Sequence, residues 1–399
     1  MLPEPRPDWQ ERFRAPTLTL PEWSRHAPEH AVLTSDETGS FQAYAWDVIE
    51  GERRRVTDER VGVMYATVSA DGSEVVWFSD PTGDESGRWL AMPFDGGDPR
   101  ELLPGAPAGW PDGLALGLHV VAGVLADRDG FAVYVSRDGE PAKEIFRHVD
   151  AIGIGGTDFH IEGTTVCGLS ADEDLLCVTT AQEGDNIHRQ LIVLDTRTDA
   201  VVGELADGPG LGVDAFAWSP VAGDRRLLAA HEREDLMRPV IWDLATGART
   251  DVPVDVPGEI VPVDWWPDGR SILVAHLFRG RSQLHRLELA SGTLTQILHP
   301  RGEVHGARVR PDGSVWLRVS SGHEASRLLD DAGSVLLEPD RPGLRTGAPY
   351  REWLFRNPDG DQVHGWLVVP EGEGPFPVYM KVHGGPSWLY EDTFWPDVQ

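Results

Sequence analysis

Lysine, cysteine and long apolar runs are all scarce in this chain of 399 residues. Lysine occurs only as Lys143 and Lys381, and 65 acidic residues against 35 basic ones give a formal net charge of −30. A surface this negative repels phosphate backbones and anionic lipid, so neither nucleic acid nor a membrane is expected as a partner. Two cysteines, Cys167 and Cys177, are too few for a disulfide scaffold and fit a reducing compartment. The longest uncharged stretch, Gly113–Ala126, contains His119 and is too short to span a bilayer. The opening MLPEPRPDWQERF lacks the apolar core of a signal peptide. These absences lead to the expectation of a soluble cytoplasmic protein.

What is present is turn chemistry. The chain has 44 glycines and 31 prolines, a loading suited to many short strands joined by turns, and its 40% apolar content still suffices for a packed interior. Six segments share one grammar: an apolar run, a turn of the Ser-Pro-Asp-Gly kind, and a second apolar run. They are PEWSRHAPEHAVLTS from Pro21, ATVSADGSEVVWFSD from Ala66, CGLSADEDLLCVTT from Cys167, FAWSPVAGDRRLLAAH from Phe216, VDWWPDGRSILVAHL from Val263 and ARVRPDGSVWLRVS from Ala307. Anchored on Ser24, Ser69, Ser170, Ser219, Trp266 and Arg310, their intervals are 45, 101, 49, 47 and 44 residues. The long interval is two periods, so a seventh unit without the turn motif is expected over 113–147.

Each unit continues into two further strands around a tight turn, as in RQLIVLDTRTDAVVGEL from Arg189 and SQLHRLELASGTLTQIL from Ser282. Four antiparallel strands in about 45 residues make one propeller blade. The fold expected is therefore mainly β, a seven-bladed propeller whose first blade draws its inner strand from residues near Pro16–Trp23. A β-sandwich is the alternative, and a turn motif recurring at a fixed period argues against it. Several of the 15 tryptophans stand beside the turns, where flat packing between blades needs them.

The repeat stops near Pro339. From Tyr350 two strands flank Asn357-Pro358-Asp359-Gly360, a Gly/Pro/Glu loop follows, and a strand is expected over Pro377–Val382, running into His383-Gly384-Gly385-Pro386. Its apolar run suits burial between neighbouring strands of a complete domain, and with most of those neighbours absent here it is expected to expose apolar surface and unpaired edge groups. This order resembles the prolyl oligopeptidase family of serine peptidases, in particular its acylaminoacyl-peptidase and dipeptidyl-peptidase-like branch. The resemblance implies an N-terminal segment (1–15), a propeller (16–340) and the beginning of an α/β-hydrolase domain (341–399). It also implies that Gly385 lends a backbone N–H to an oxyanion hole, with Gly384 shaping the turn. Glycines after a strand let backbone donors approach a carbonyl oxygen on which charge develops. Further implied are a peptide substrate, a propeller that limits substrate size, and acidic propeller residues holding the substrate's amino group. Glu232 and Glu234, with Asp235 beside them, are the candidates for that last role; an ordinary solvated loop is the plainer reading.

The sequence departs from the family in one decisive respect. No serine stands in G-x-S-x-G: Ser271, Ser282 and Ser387 have glycine two before and leucine two after. Residue 399 is expected to fall within the helix after the oxyanion loop, ahead of nucleophile, acid and base. The chain alone is thus expected to be catalytically inactive. Other chemistries find little support. His231-Glu232-Arg233-Glu234-Asp235 lacks the second histidine of a zinc motif, neither lysine follows a glycine as a P-loop requires, and Gly153-Ile154-Gly155-Gly156 lacks the last glycine of a dinucleotide fingerprint. No metal and no cofactor are expected. Cys167 and Cys177 flank the Ser170–Asp174 turn symmetrically, close enough to face one another, and reduced thiols are the favoured state. Three functions compete: part of a serine peptidase, whose partner would be a second copy in a homo-oligomer or a complementing hydrolase polypeptide; a freestanding propeller for binding; and a metal-dependent propeller lyase or lactonase, for which no ligand set is found.

Overall fold

The computed structural model describes residues 8–155, 168–182, 185–341, 344–385 and 388–398. Seven four-stranded antiparallel sheets form seven blades, each built from consecutive strands in chain order. The blades cover residues 22–55, 66–101, 110–148, 152–205, 213–251, 259–297 and 303–337. The third lies where the motif-free unit was expected. The first strand of each blade is innermost. Strand Val213–Trp218 is buried throughout, whereas the outermost strand of the same blade, Ala248–Asp251, is largely exposed.

The recurring turn joins the first strand of a blade to the second. Ser69 Oγ accepts the N–H of Glu74 at 2.9 Å and donates to Asp71 Oδ1 at 2.6 Å, while Ser219 Oγ donates to Asp224 Oδ2 at 2.6 Å. One short side chain thus satisfies the turn's backbone, which explains why serine recurs there.

Tryptophans tie neighbouring blades through their indole N–H. Trp218 donates to Gly168 O at 2.9 Å, Trp265 to Ala217 O at 3.0 Å, and Trp266 to Gly313 O at 3.1 Å. Among the described residues no strand is exchanged between the first and last blades, and side chains close the ring. Trp316 of blade 7 meets Trp23 edge-on at 5.2 Å and Trp46 at 5.4 Å. Arg308 pairs with Glu22, and Arg310 Nη2 donates to Pro28 O at 2.8 Å. Leu18, Leu20, Leu33 and Leu328 complete this apolar seam.

Beyond the blades, Arg351–Arg356 and Gln362–Leu367 form a hairpin around the expected turn, in which Asn357 Oδ1 accepts the Asp361 N–H at 2.8 Å. Two expectations for the tail fail. Residues 377–382 form no strand, although their side chains are exposed as expected, Val378 to 89% and Tyr379 to 83%. An extended segment needs a neighbour to take its N–H and C=O groups, and among the described residues none pairs with it. The helix expected after the glycine loop is likewise absent from 388–398.

Candidate functional site

The glycine loop is set by its neighbours in the tail. Lys381 Nζ lies 2.5 Å from Asp397 Oδ2, which raises the lysine pKa, and 5.6 and 5.4 Å from the centres of the Tyr390 and Trp395 rings. His383 meets Tyr390 edge-on at 5.9 Å, and its Nδ1 is 2.7 Å from Gly384 O. Gly384 and Gly385 are exposed, and Gly385 has φ +129°, a backbone region that favours glycine. Pro386 and Ser387 lie outside the described residues.

This loop is moored to the propeller through residues that follow it. Asp392 Oδ2 accepts from Arg281 Nε at 2.9 Å, its Oδ1 accepts the Gly322 N–H at 3.0 Å, and its own N–H donates to Gly280 O at 2.7 Å. Trp366 Nε1 donates to Tyr390 O at 2.6 Å, beneath an Arg281 guanidinium 4.5 Å from the Trp366 ring centre. Thr393 Oγ1 contacts Ser320 Oγ and lies 3.0 Å from His305 Nε2. Ser320 Oγ is itself 2.7 Å from His305 Nε2, the spacing of a nucleophile and its base. Yet Ser320 is 5% exposed and Thr393 covers it, so the trio fastens the tail. Burial holds His305 neutral, with a pKa of about 3.

Glu232, Glu234 and Asp235 follow strand Arg226–His231, in the turn before the third strand of blade 5. Gly280 and Gly322 occupy the corresponding turns of blades 6 and 7, so the acidic loop and the mooring share one face. Glu232 Oε2 accepts the Gly212 N–H at 2.9 Å, while Glu234 is exposed. Among the described residues, no hydrogen bond or ion pair joins either glutamate to the tail. The structure therefore assembles Gly384 and Gly385 with Lys381, His383 and Tyr390, and leaves the glutamates apart from them. Cys177 is buried in blade 4, and Cys167 lies outside the described residues.

At the opposite end of the channel, where the inner strands finish, lies a cavity of about 360 Å³. The turn residues Ser24, Ser69, Ser170, Ser219 and Arg310 line it, together with Arg25, Arg308, Glu22 and Asp264. Sequence reasoning missed these arginines, although the repeat carried a signal. Arg310 occupies the anchor position that holds serine in four other units, and Arg25 follows its anchor serine where those units have alanine or proline. Being ringed by protein lowers the pKa of Arg25, opposed by the Asp264 carboxylate and reinforced by Arg308.

No protein-family profile matches the chain. Over 51 residues, 12% of this chain and 8% of the relative, it is 37% identical to an uncharacterized peptidase, YuxL, of Bacillus subtilis. Over 217 residues, 47% of this chain and 29% of the relative, it is 24% identical to a probable dipeptidyl-peptidase 5 of Aspergillus clavatus. The chain thus aligns with less than a third of either curated relative. Among solved structures it is similar to a chain from a structural and mechanistic study of two prolyl endopeptidases. There the TM-score is 0.64 and the identity 15%, across 90% of this chain and 54% of that one. An identity so low establishes the architecture, and on that ground the chain is a seven-bladed β-propeller of the kind found in a prolyl endopeptidase.

Proposed function

We propose that this chain is the propeller and the opening of the hydrolase domain of a serine peptidase of the prolyl oligopeptidase type, acting on short peptides in the cytoplasm. The observation that carries the reading is the order of parts: a closed seven-bladed propeller, then a tail that presents Val382-His383-Gly384-Gly385 while moored to one propeller face. Similarity to proteins named as peptidases supports it. The Gly385 N–H would supply one oxyanion donor, in a backbone region that a side chain would strain. Nucleophile, base and orienting acid would come from hydrolase sequence outside these 399 residues, and the propeller would restrict access by size. Glu232 and Glu234, on the face that carries the tail, would hold the substrate's ammonium group, as a dipeptidyl-peptidase-like branch requires.

Purified as these 399 residues, the protein is expected to turn over no aminoacyl or acyl-aminoacyl chromogenic substrate and to take no label from a fluorophosphonate. Labelling at any of its serines would overturn the assignment of the nucleophile to other sequence.

A further inference from the structure

Among the described residues that line the channel cavity, Arg25 is an arginine that makes no hydrogen bond or ion pair to the fold. Arg308 and Arg310 both serve the seam between blades 7 and 1. Arg308 pairs with Glu22 and stacks at 4.7 Å on Trp23, while Arg310 donates to Pro28 O and lies 4.1 Å from the centre of the Trp316 ring. Arg25 serves neither. Among the described residues its guanidinium has no hydrogen-bonding or ion-pair partner, and it is solvent-accessible inside the cavity. Its backbone is nonetheless fixed, because Ser24 Oγ accepts the N–H groups of His26 and Ala27 at 3.0 Å and donates to Ala70 O at 2.5 Å.

The carboxylates of the cavity are already engaged. Glu22 is on Arg308, and Asp264 accepts the N–H groups of Trp265 at 2.8 Å and Val309 at 3.1 Å. Glu173 accepts three, from Leu118 at 2.5 Å and from His119 and Val120 at 2.9 Å. Free donors therefore gather at Arg25, next to a wall of Val68, Leu116, Leu169, Trp218 and Trp265. A planar fork of donors matches a carboxylate, and an apolar wall beside it suits an apolar side chain attached to that carboxylate.

We propose that Arg25 forms a binding site for the free C-terminal carboxylate of a short peptide ending in an apolar residue. The choice of a peptide rests on the peptidase reading; the carboxylate rests on the geometry. The site lies at the end of the channel away from the face that carries Gly384 and Gly385, so it anchors a peptide without taking part in acyl transfer.

The test is calorimetric titration of the 399-residue protein with N-acetyl-alanyl-leucine, its C-terminal amide, acetate and inorganic phosphate. The peptide acid is expected to bind, and the amide to bind about ten-fold or more weakly, the loss set by one charge-assisted pair. Arg25→Gln should weaken the acid by a similar factor and Arg25→Lys by less. Both variants should keep the melting temperature, since no bond of the fold is lost. No binding of the acid up to about 10 mM would overturn the site. So would equal binding of acid and amide, or undiminished binding by a folded Arg25→Gln. Acetate or phosphate binding as tightly as the peptide acid would overturn the peptide assignment. Should Arg25→Gln not fold, the acid–amide comparison on the natural chain decides. None of these titrations needs a nucleophile, so this site and the peptidase reading can fail separately.

Discussion

Among single residues, Gly280 is one point where the propeller and the tail pack closely. It has φ +66°, and a Cβ there would stand 2.5 Å from Tyr390 O. Gly280→Ala would impose about 1 kcal/mol of backbone strain and push the tail away as well. Hydrogen exchange over 388–395 is expected to quicken in this variant while the blades keep their protection; unchanged exchange there would mean that the mooring does not pass through Gly280. Little of this was legible in the sequence. A glycine in a Phe-Arg-Gly-Arg turn looks like any hairpin glycine, and its partner lies 110 positions later in the chain. Arg25 was overlooked for a related reason: the repeat directed attention to what its units share, and this residue matters because it differs.

At the scale of elements, the blades were readable because their instructions are local. The serine turn satisfies its own backbone within five residues, so the motif and its period mark the first and second strands even when one unit lacks it. For 377–382 the exposure was legible and the strand was not, because an apolar run describes the environment of a strand rather than its pairing. Without a neighbour to pair with, Val378, Tyr379 and Met380 remain in solvent.

The mooring of the tail should also respond to acid. His305 is neutral in the fold with a pKa of about 3, against an ordinary value near 6.5. The state with the tail released binds the extra proton first. Mooring is therefore complete above about pH 6.5 and weakens as the pH falls toward 3. Burial lowers the pKa of His285, His299 and His364 as well, which adds acid sensitivity of the same sign to blade 6 and the hairpin. Exchange of 388–395 measured from pH 7 to pH 4 should rise relative to the blades, and His305→Gln should flatten that rise. A rise of equal size in His305→Gln would assign the effect to other groups.

For the whole molecule, side chains close the ring among the described residues. Trp316, Trp23 and Trp46 form the apolar part of the seam, and Arg308 with Glu22 the ionic part. These partners stand nearly 300 positions apart, so the repeat predicted seven blades but could not show how the seventh meets the first. Trp316→Ala should cost about 3–5 kcal/mol, within the range for a large buried aromatic. Because blade 1 has no strand from blade 7 to hold it, blades 7 and 1 should lose exchange protection before blades 3–5. Uniform loss around the ring would mean that the seam is no weaker than the other junctions.

The proposed function assigns the catalytic serine to hydrolase sequence beyond the propeller and the Gly384-Gly385 loop. Reading the DNA immediately after codon 399 tests it most directly. A continuing frame with G-x-S-x-G, followed by an acidic residue and a histidine in the order of an α/β-hydrolase, is expected. A stop codon, with no such hydrolase sequence in the adjoining frames, would overturn the proposed function.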